Sequence, residues 1–187
     1  MSQTEPITST VQVKPWLHPL DEFYAQAGMV LPAIERIAGE QVPEPYRQLL
    51  VHERDMTPTL EQFYGSAIHL EVLRREQRGD YYYREVILLL DDTNRPVEFG
   101  AIKIALTLFP PAARRQILEE RLPLGRILHD AQLAHTSKPK AYLQIESDEF
   151  IRSALKLECR TTLFGRRNTL SDGQQRALAE IVEILPP

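Results

Sequence analysis

The sequence has almost no cysteine: Cys159 stands alone, so neither an internal disulfide nor a thiolate metal cluster can form within the chain. Histidine is sparse as well. His18, His52, His69, His129 and His135 fall at no metal-ligand spacing and in no HExxH string, which leaves a metal site without support. Glycine, at 8 residues against 14 prolines, forms no GxGxxG or GxxxxGK[ST] loop, and nucleotide-dependent chemistry loses its usual phosphate cradle. No GxSxG occurs, so a nucleophile-elbow hydrolase has no support either. Basic residues are in the minority, 22 Lys and Arg against 26 Asp and Glu, with no lysine-rich run. A surface built to neutralise a nucleic-acid backbone needs a basic stripe instead. The longest uninterrupted apolar stretch runs only from Val86 to Leu90, far short of the roughly 20 residues that span a bilayer. The first residues, Met1 to Pro15, carry no basic-then-apolar signal pattern. These absences predict a soluble, cytoplasmic protein with neither nucleic acid nor membrane as partner.

With 187 residues, 43% of them hydrophobic, the chain can bury one substantial core but hardly two. Residues 1–13 are rich in Ser, Thr and Gln without periodicity, and a flexible tail is expected there before a single domain over residues 14–187. From residue 20 to 37 the apolar side chains of Leu20, Phe23, Tyr24, Ala27, Val30, Leu31 and Ile34 recur at helical steps, which predicts one helix bent or interrupted at Pro32. Further helical pieces follow at residues 46–53 and after Asp55-Met56-Thr57-Pro58, ending at Gly65. Beyond Gly65 the apolar period falls to two. Strands are expected over residues 68–73, 81–90 and 97–108, joined by short loops and therefore antiparallel. Short helices at 112–120 and 122–128, a strand at 142–145, a helix at 148–157 and a terminal hairpin around Asp172-Gly173 complete the pattern. The fold class is α+β: a single antiparallel β-sheet with helices at the N-terminus and others inserted along one face.

The chemistry-bearing feature is arginine placed inside strands. In Tyr81 to Leu88 alternation puts Arg84 on the face of Val86 and Leu88, while Glu85 points the other way with Ile87. A guanidinium among apolar neighbours needs an anion. That anion is either an acid on the adjacent strand, such as Glu98, or a ligand carboxylate gripped by two parallel N–H bonds. Arg166 and Arg167 pose the same choice, and only one of the two can face a pocket because neighbouring strand residues point to opposite faces. Glu180 and Glu183 lie in an otherwise apolar strand, three residues apart and hence on opposite faces. Leu122-Pro123-Leu124-Gly125-Arg126 adds a turn before a helix whose unpaired backbone N–H groups suit an anion.

Together these pieces resemble the chorismate pyruvate-lyases. Asp55-Met56-Thr57, Arg84-Glu85-Val86, Pro123-Leu124-Gly125-Arg126-Ile127-Leu128, Phe164-Gly165-Arg166-Arg167 and the closing Glu-rich strand before Leu185-Pro186-Pro187 occur in the family's order over residues 49–187. The resemblance implies an α+β fold with helical flaps over a buried pocket, no cofactor and no metal. It implies a carbon–oxygen lyase that converts chorismate to 4-hydroxybenzoate and pyruvate, a step of ubiquinone biosynthesis. Arg84 matches the arginine that binds the ring carboxylate, Met56 the flap residue over the ligand, and Leu124 with Gly125 the turn that donates backbone N–H groups. Arg166 or Arg167 would hold the enolpyruvyl carboxylate. The family's strand glutamate is Glu183 when counted back from the final prolines and Glu180 when counted forward from Gly173; strand parity relative to Gly165 favours Glu183. The expected partner is a small aromatic or cyclohexadiene carboxylate, bound by a monomer or small homo-oligomer. A helical 20–53 region, an inserted 148–157 segment and the last strand's Ala-Glu-Ile-Val-Glu depart from the family pattern, so a non-catalytic hydroxybenzoate-binding protein of the same fold is the alternative.

Overall fold

The computed structural model describes residues 14–187, and the tail expected over residues 1–13 lies outside the described residues. Seven strands, β1 (Ile34–Ile37), β2 (Ile68–Arg78), β3 (Tyr81–Leu90), β4 (Pro96–Ala105), β5 (Thr136–Glu146), β6 (Thr162–Ser171) and β7 (Ala177–Leu185), form one sheet in the order β1-β5-β6-β7-β4-β3-β2. Every neighbouring pair is antiparallel. Two meanders, β2-β3-β4 and β5-β6-β7, therefore meet along β4 and β7. Among the described residues six α-helices accompany them: α1 (Leu20–Gln26), α2 (Tyr46–Leu50), α3 (Met56–Tyr64), α4 (Pro111–Glu119), α5 (Leu124–Asp130) and α6 (Glu149–Ala154).

The two faces of the sheet bury different sets of residues, as the two-residue period of its strands requires. On one face α1 and α6 pack Leu20, Phe23, Tyr24 and Ile151 against Ile87, Phe99, Ala101, Val182 and Ile184. On the other face there are two separate apolar clusters. One joins Met56 and Leu60 of α3 with Leu70, Val86 and Leu88; the second joins Leu124, Ile127 and Leu128 of α5 with Ile102, Leu170 and Ile181. The connection from β4 to β5 carries α4 and α5 across this second face, so α3 and α5 lie side by side over the sheet.

Residues 20–37 make two elements instead of one helix. α1 ends near Gly28, whose φ of 64° is a left-handed conformation that glycine adopts freely. The chain then extends past Pro32, and Ile34 pairs opposite Ile145 at the edge of the sheet. Pairing with β5 overrides a spacing that suits a helix. Strand β3 occupies the expected residues, whereas β2 and β5 run on through polar halves, Arg74 to Arg78 and Thr136 to Lys140, that show no apolar alternation.

Strand alternation sends Glu85 away from Arg84, into the α1 and α6 face, where its side chain has 0% exposure and, among the described residues, only Arg74 Nε, 3.3 Å from Oε2, as an ion-pair partner. Burial outweighs that guanidinium and pushes the carboxyl up to about 7 from an ordinary 4.5. Between those two values the folded chain keeps a proton that the unfolded chain has lost, so stability falls as pH rises and the loss is complete above 7. Glu85→Gln removes this dependence. From about pH 4.5 to pH 8, denaturant unfolding should show the variant gaining on wild type by up to about 3 kcal/mol; a difference that stays constant with pH contradicts the assignment.

Candidate functional site

Between the two apolar clusters of the second face is a chamber with about 50 Å³ open to the centres of water molecules, inside about 550 Å³ of unfilled space that includes solvent at its mouth. Its floor is strand: Val86 and Leu88 of β3, Gly100 and Ile102 of β4, Ile181 of β7 and Leu170 of β6. Its roof is helix: Met56 and Thr57 at the start of α3, and Pro123, Leu124 and Gly125 at the start of α5. The roof closes because Gly125 has no side chain. A Cβ there would stand 3.1 Å from Thr57 Oγ1 and 3.3 Å from Thr57 Cβ, so any larger residue would hold the helices apart. The second face thus supplies walls of apolar side chains on which a few polar groups converge, as small-molecule sites do.

Arg84 is the first of these groups. It is 2% exposed, and among the described residues no hydrogen bond or ion pair reaches its guanidinium; Nε and Nη1 are both buried without a partner. The strand register explains the isolation. Arg84 lies opposite Ile102 on β4 and opposite Arg75 on β2, while Glu98, the acid that could have paired with it, lies opposite Leu88. Four residues along a strand separate the two levels, about 13 Å. Glu120 acts on Arg84 through its charge, but its oxygens already accept from the Tyr82 hydroxyl and Arg75. Burial pushes the guanidinium below its ordinary range, the signature of a charge without compensation.

Arg166 has the opposite environment. It is 0% exposed and pairs through Nε with Glu183. Its Nη1 donates to the carbonyls of Leu50 (3.3 Å) and His52 (3.1 Å), and Nη2 to the carbonyl of Arg54 (3.0 Å). His52 Nδ1 is a further acceptor, 3.3 Å away; burial and the Arg166 charge hold that imidazole down at about 4 and hence neutral. Arg166 therefore ties the loop that leads into α3 to the sheet. It is not among the residues that line the chamber, and its guanidinium is taken up by Glu183 and that loop, not free for the second substrate carboxylate expected of Arg166 or Arg167.

Arg167 and Glu180 lie on the other face of the sheet. Arg167 donates to the His18 carbonyl, Thr169 and Glu180, and Glu180 also meets Lys103 Nζ at 3.3 Å. Neither lines the chamber, because the register places Arg167 opposite Val182 and Glu180 opposite Thr169. Both expected substrate contacts are corrected by one residue of strand parity. Glu183, on the parity that Gly165 indicated, does line it, as do Met56, Leu124 and Gly125. The Arg126 and Ile127 amides bond back to the Pro123 carbonyl at 3.1 and 3.2 Å, which leaves the Leu124 and Gly125 amides ahead of the ladder of α5.

Two further polar residues in the chamber were not read as ligand-binding from the sequence. Asn168, 1% exposed, donates to Ser137 Oγ at 3.0 Å and leaves its Oδ1 buried and unpartnered. Glu98, 4% exposed, leaves Oε2 in the same condition. A glutamate in the apolar run Val97-Glu98-Phe99-Gly100-Ala101 was the available signal; for Asn168 there was none. Among the described residues no group of three or more His, Cys, Asp or Glu is placed to hold a metal ion, and no helix is long and apolar enough to cross a membrane.

No family model and no curated protein matches the chain. Solved structures do. The effector domain of PhnF from Mycobacterium smegmatis superposes with a TM-score of 0.54 at 13% identity, over 70% of this chain and 87% of that one. PhnF from the same organism gives 0.52 at 12% identity, over 89% of this chain and 92% of that one. At such identities the likeness is one of fold, and the fold is the α+β, chorismate lyase-like one with a single antiparallel sheet.

The contrast between the two buried arginines is measurable as stability. Arg166→Met strands the Glu183 carboxylate and three loop carbonyls, and should cost about 3–5 kcal/mol of unfolding free energy. Arg84→Met removes a buried charge that, among the described residues, has no ion pair or hydrogen bond, and should leave stability unchanged or raise it by about 1–3 kcal/mol. Denaturant unfolding of both variants checks this; equal destabilisation would mean that Arg84 has a partner within the fold.

Proposed function

We propose that this chain binds a small monocyclic carboxylate in the chamber between α3, α5 and the sheet. The observation that carries the reading is the Arg84 guanidinium, buried and unpartnered at the chamber's edge. A carboxylate there would receive two parallel N–H bonds, and the Leu124 and Gly125 amides would add to them. The apolar floor suits one ring, and Glu183 would face a polar substituent at the far side of it. The chamber offers one unpaired cation among the described residues, since Arg166 is engaged elsewhere. A ligand with one carboxylate, such as a hydroxybenzoate, is matched by that charge.

The second reading is catalytic: elimination from chorismate to 4-hydroxybenzoate and pyruvate. It is favoured by the meeting of Arg84, Glu183, Met56, Leu124 and Gly125 around one chamber, the residues that a chorismate pyruvate-lyase would use. In that reaction the ring loses its enolpyruvyl ether and one proton and becomes aromatic, so the substrate supplies the driving force. The protein would orient and desolvate it, with Arg84 on the ring carboxylate and Glu183 near the carbon–oxygen bond.

Calorimetric titration with 4-hydroxybenzoate tests the first reading, and incubation with chorismate followed for pyruvate and 4-hydroxybenzoate tests the second. Arg84→Met should weaken 4-hydroxybenzoate binding by about a hundredfold or more while the variant stays folded. Equimolar products from chorismate would establish the lyase; binding without turnover leaves a binding protein. Wild-type affinity in Arg84→Met would remove both.

A further inference from the structure

Glu98 is the group in the chamber that the proposed carboxylate contact leaves unused. It lines the cavity from β4, and the register places it two residues along from Gly100, which lies opposite Glu183 of β7. Its carboxyl leans toward that level: a Cβ built on Gly100 would stand 3.1 Å from Glu98 Oε1. Glu98 and Glu183 thus line the chamber from adjacent strands, near the level of Gly100, which carries no side chain.

The two groups have different surroundings. Arg166 pairs with Glu183. Glu98 has no cation in contact among the described residues, and its Oε2 has no hydrogen-bond partner. Burial, and next the charge of Glu183, push its carboxyl well above the ordinary carboxylate range, and Arg166 offsets only part of this. Glu183 offers an acceptor oxygen beside its bond to Arg166, and a Glu98 carboxyl pushed above its ordinary range offers an O–H donor.

We propose that Glu98 is a specificity-determining residue, which together with Glu183 grips a single hydroxyl across the ring from the carboxylate: Glu98 donates to the hydroxyl oxygen, and Glu183 accepts the hydroxyl hydrogen. The inference rests on the carboxylate-binding reading and names the second half of the ligand. Arg84 selects an acid; the Glu98 and Glu183 pair selects a hydroxyl. A ring without that hydroxyl leaves the O–H of Glu98 and the free oxygen of Glu183 buried and unmatched. A ring with a second carboxylate there meets the charge of Glu183. The ligand class is accordingly a monocyclic hydroxy acid with its two groups at opposite ends.

Calorimetric titration near neutral pH with 4-hydroxybenzoate and benzoate, on wild type, Glu98→Leu, Glu98→Gln and Arg84→Met, decides the matter. Wild type should prefer the hydroxy acid by about tenfold or more. In Glu98→Leu the preference should shrink to within about threefold while benzoate affinity holds, and Glu98→Gln, which keeps an N–H donor, should retain most of it. Glu98→Met stands in for the leucine variant should that one not fold. An undiminished preference in the apolar variant overturns the proposal, as does a glutamine variant that loses the preference as fully as the apolar one. Failure of the underlying reading looks different: neither acid binds wild type, or Arg84→Met binds benzoate as wild type does.

Discussion

A cation taken out of water and given no anion is among the least favourable arrangements a fold can contain, and Arg84 is in that position. Ordinarily such a side chain is paired, hydrated or absent. Here the strand register moves the candidate partner Glu98 four residues away, and α3 and α5 close the space above it. The charge is held where a ligand carboxylate would complete it, and the rest of the second face makes sense around that fact. Its apolar clusters stop short of each other on either side of the chamber, and Gly100 and Gly125 remove bulk from its floor and roof.

The same chain shows what full compensation looks like. Arg166 donates to one carboxylate and to carbonyls of three residues, and so fixes the loop before α3. Arg167, one residue on and on the opposite face, is paired with Glu180 near His18. Three strand arginines thus have three roles: holding a loop, joining the N-terminal segment to the sheet, and waiting for an anion. Composition cannot tell them apart. Only the register and the covering helices do.

Much of this was legible in the sequence, for identifiable reasons. β3 was readable end to end because Tyr81 to Leu90 alternates between short loops, and that parity also put Arg84 and Glu85 on opposite faces. Parity from Gly165 likewise selected Glu183 over Glu180. β1 was not readable, because its four residues follow α1 at a spacing that continues a helical period, and only its pairing with β5 makes it a strand. The outer half of β2 was hidden by its charges. The loop-anchoring contacts of Arg166 were not legible, because its partners, the carbonyls of Leu50, His52 and Arg54, are more than a hundred residues distant and carry no side-chain signature. Glu98 was weighed only as a partner for Arg84, since adjacency of strands is visible in a sequence but their stagger is not.

Arg84 lies beneath the helices, where its hydration is lost and no contact within the described fold replaces it. A carboxylate would reverse that balance, because the ion pair it forms gains strength as water leaves. Arg166 fixes the loop at Arg54, just ahead of α3, which begins at Met56. Glu183 belongs to both systems, holding Arg166 on one side and lining the chamber on the other. The group that would meet the ligand's far end thus also secures the loop from which the roof is hung.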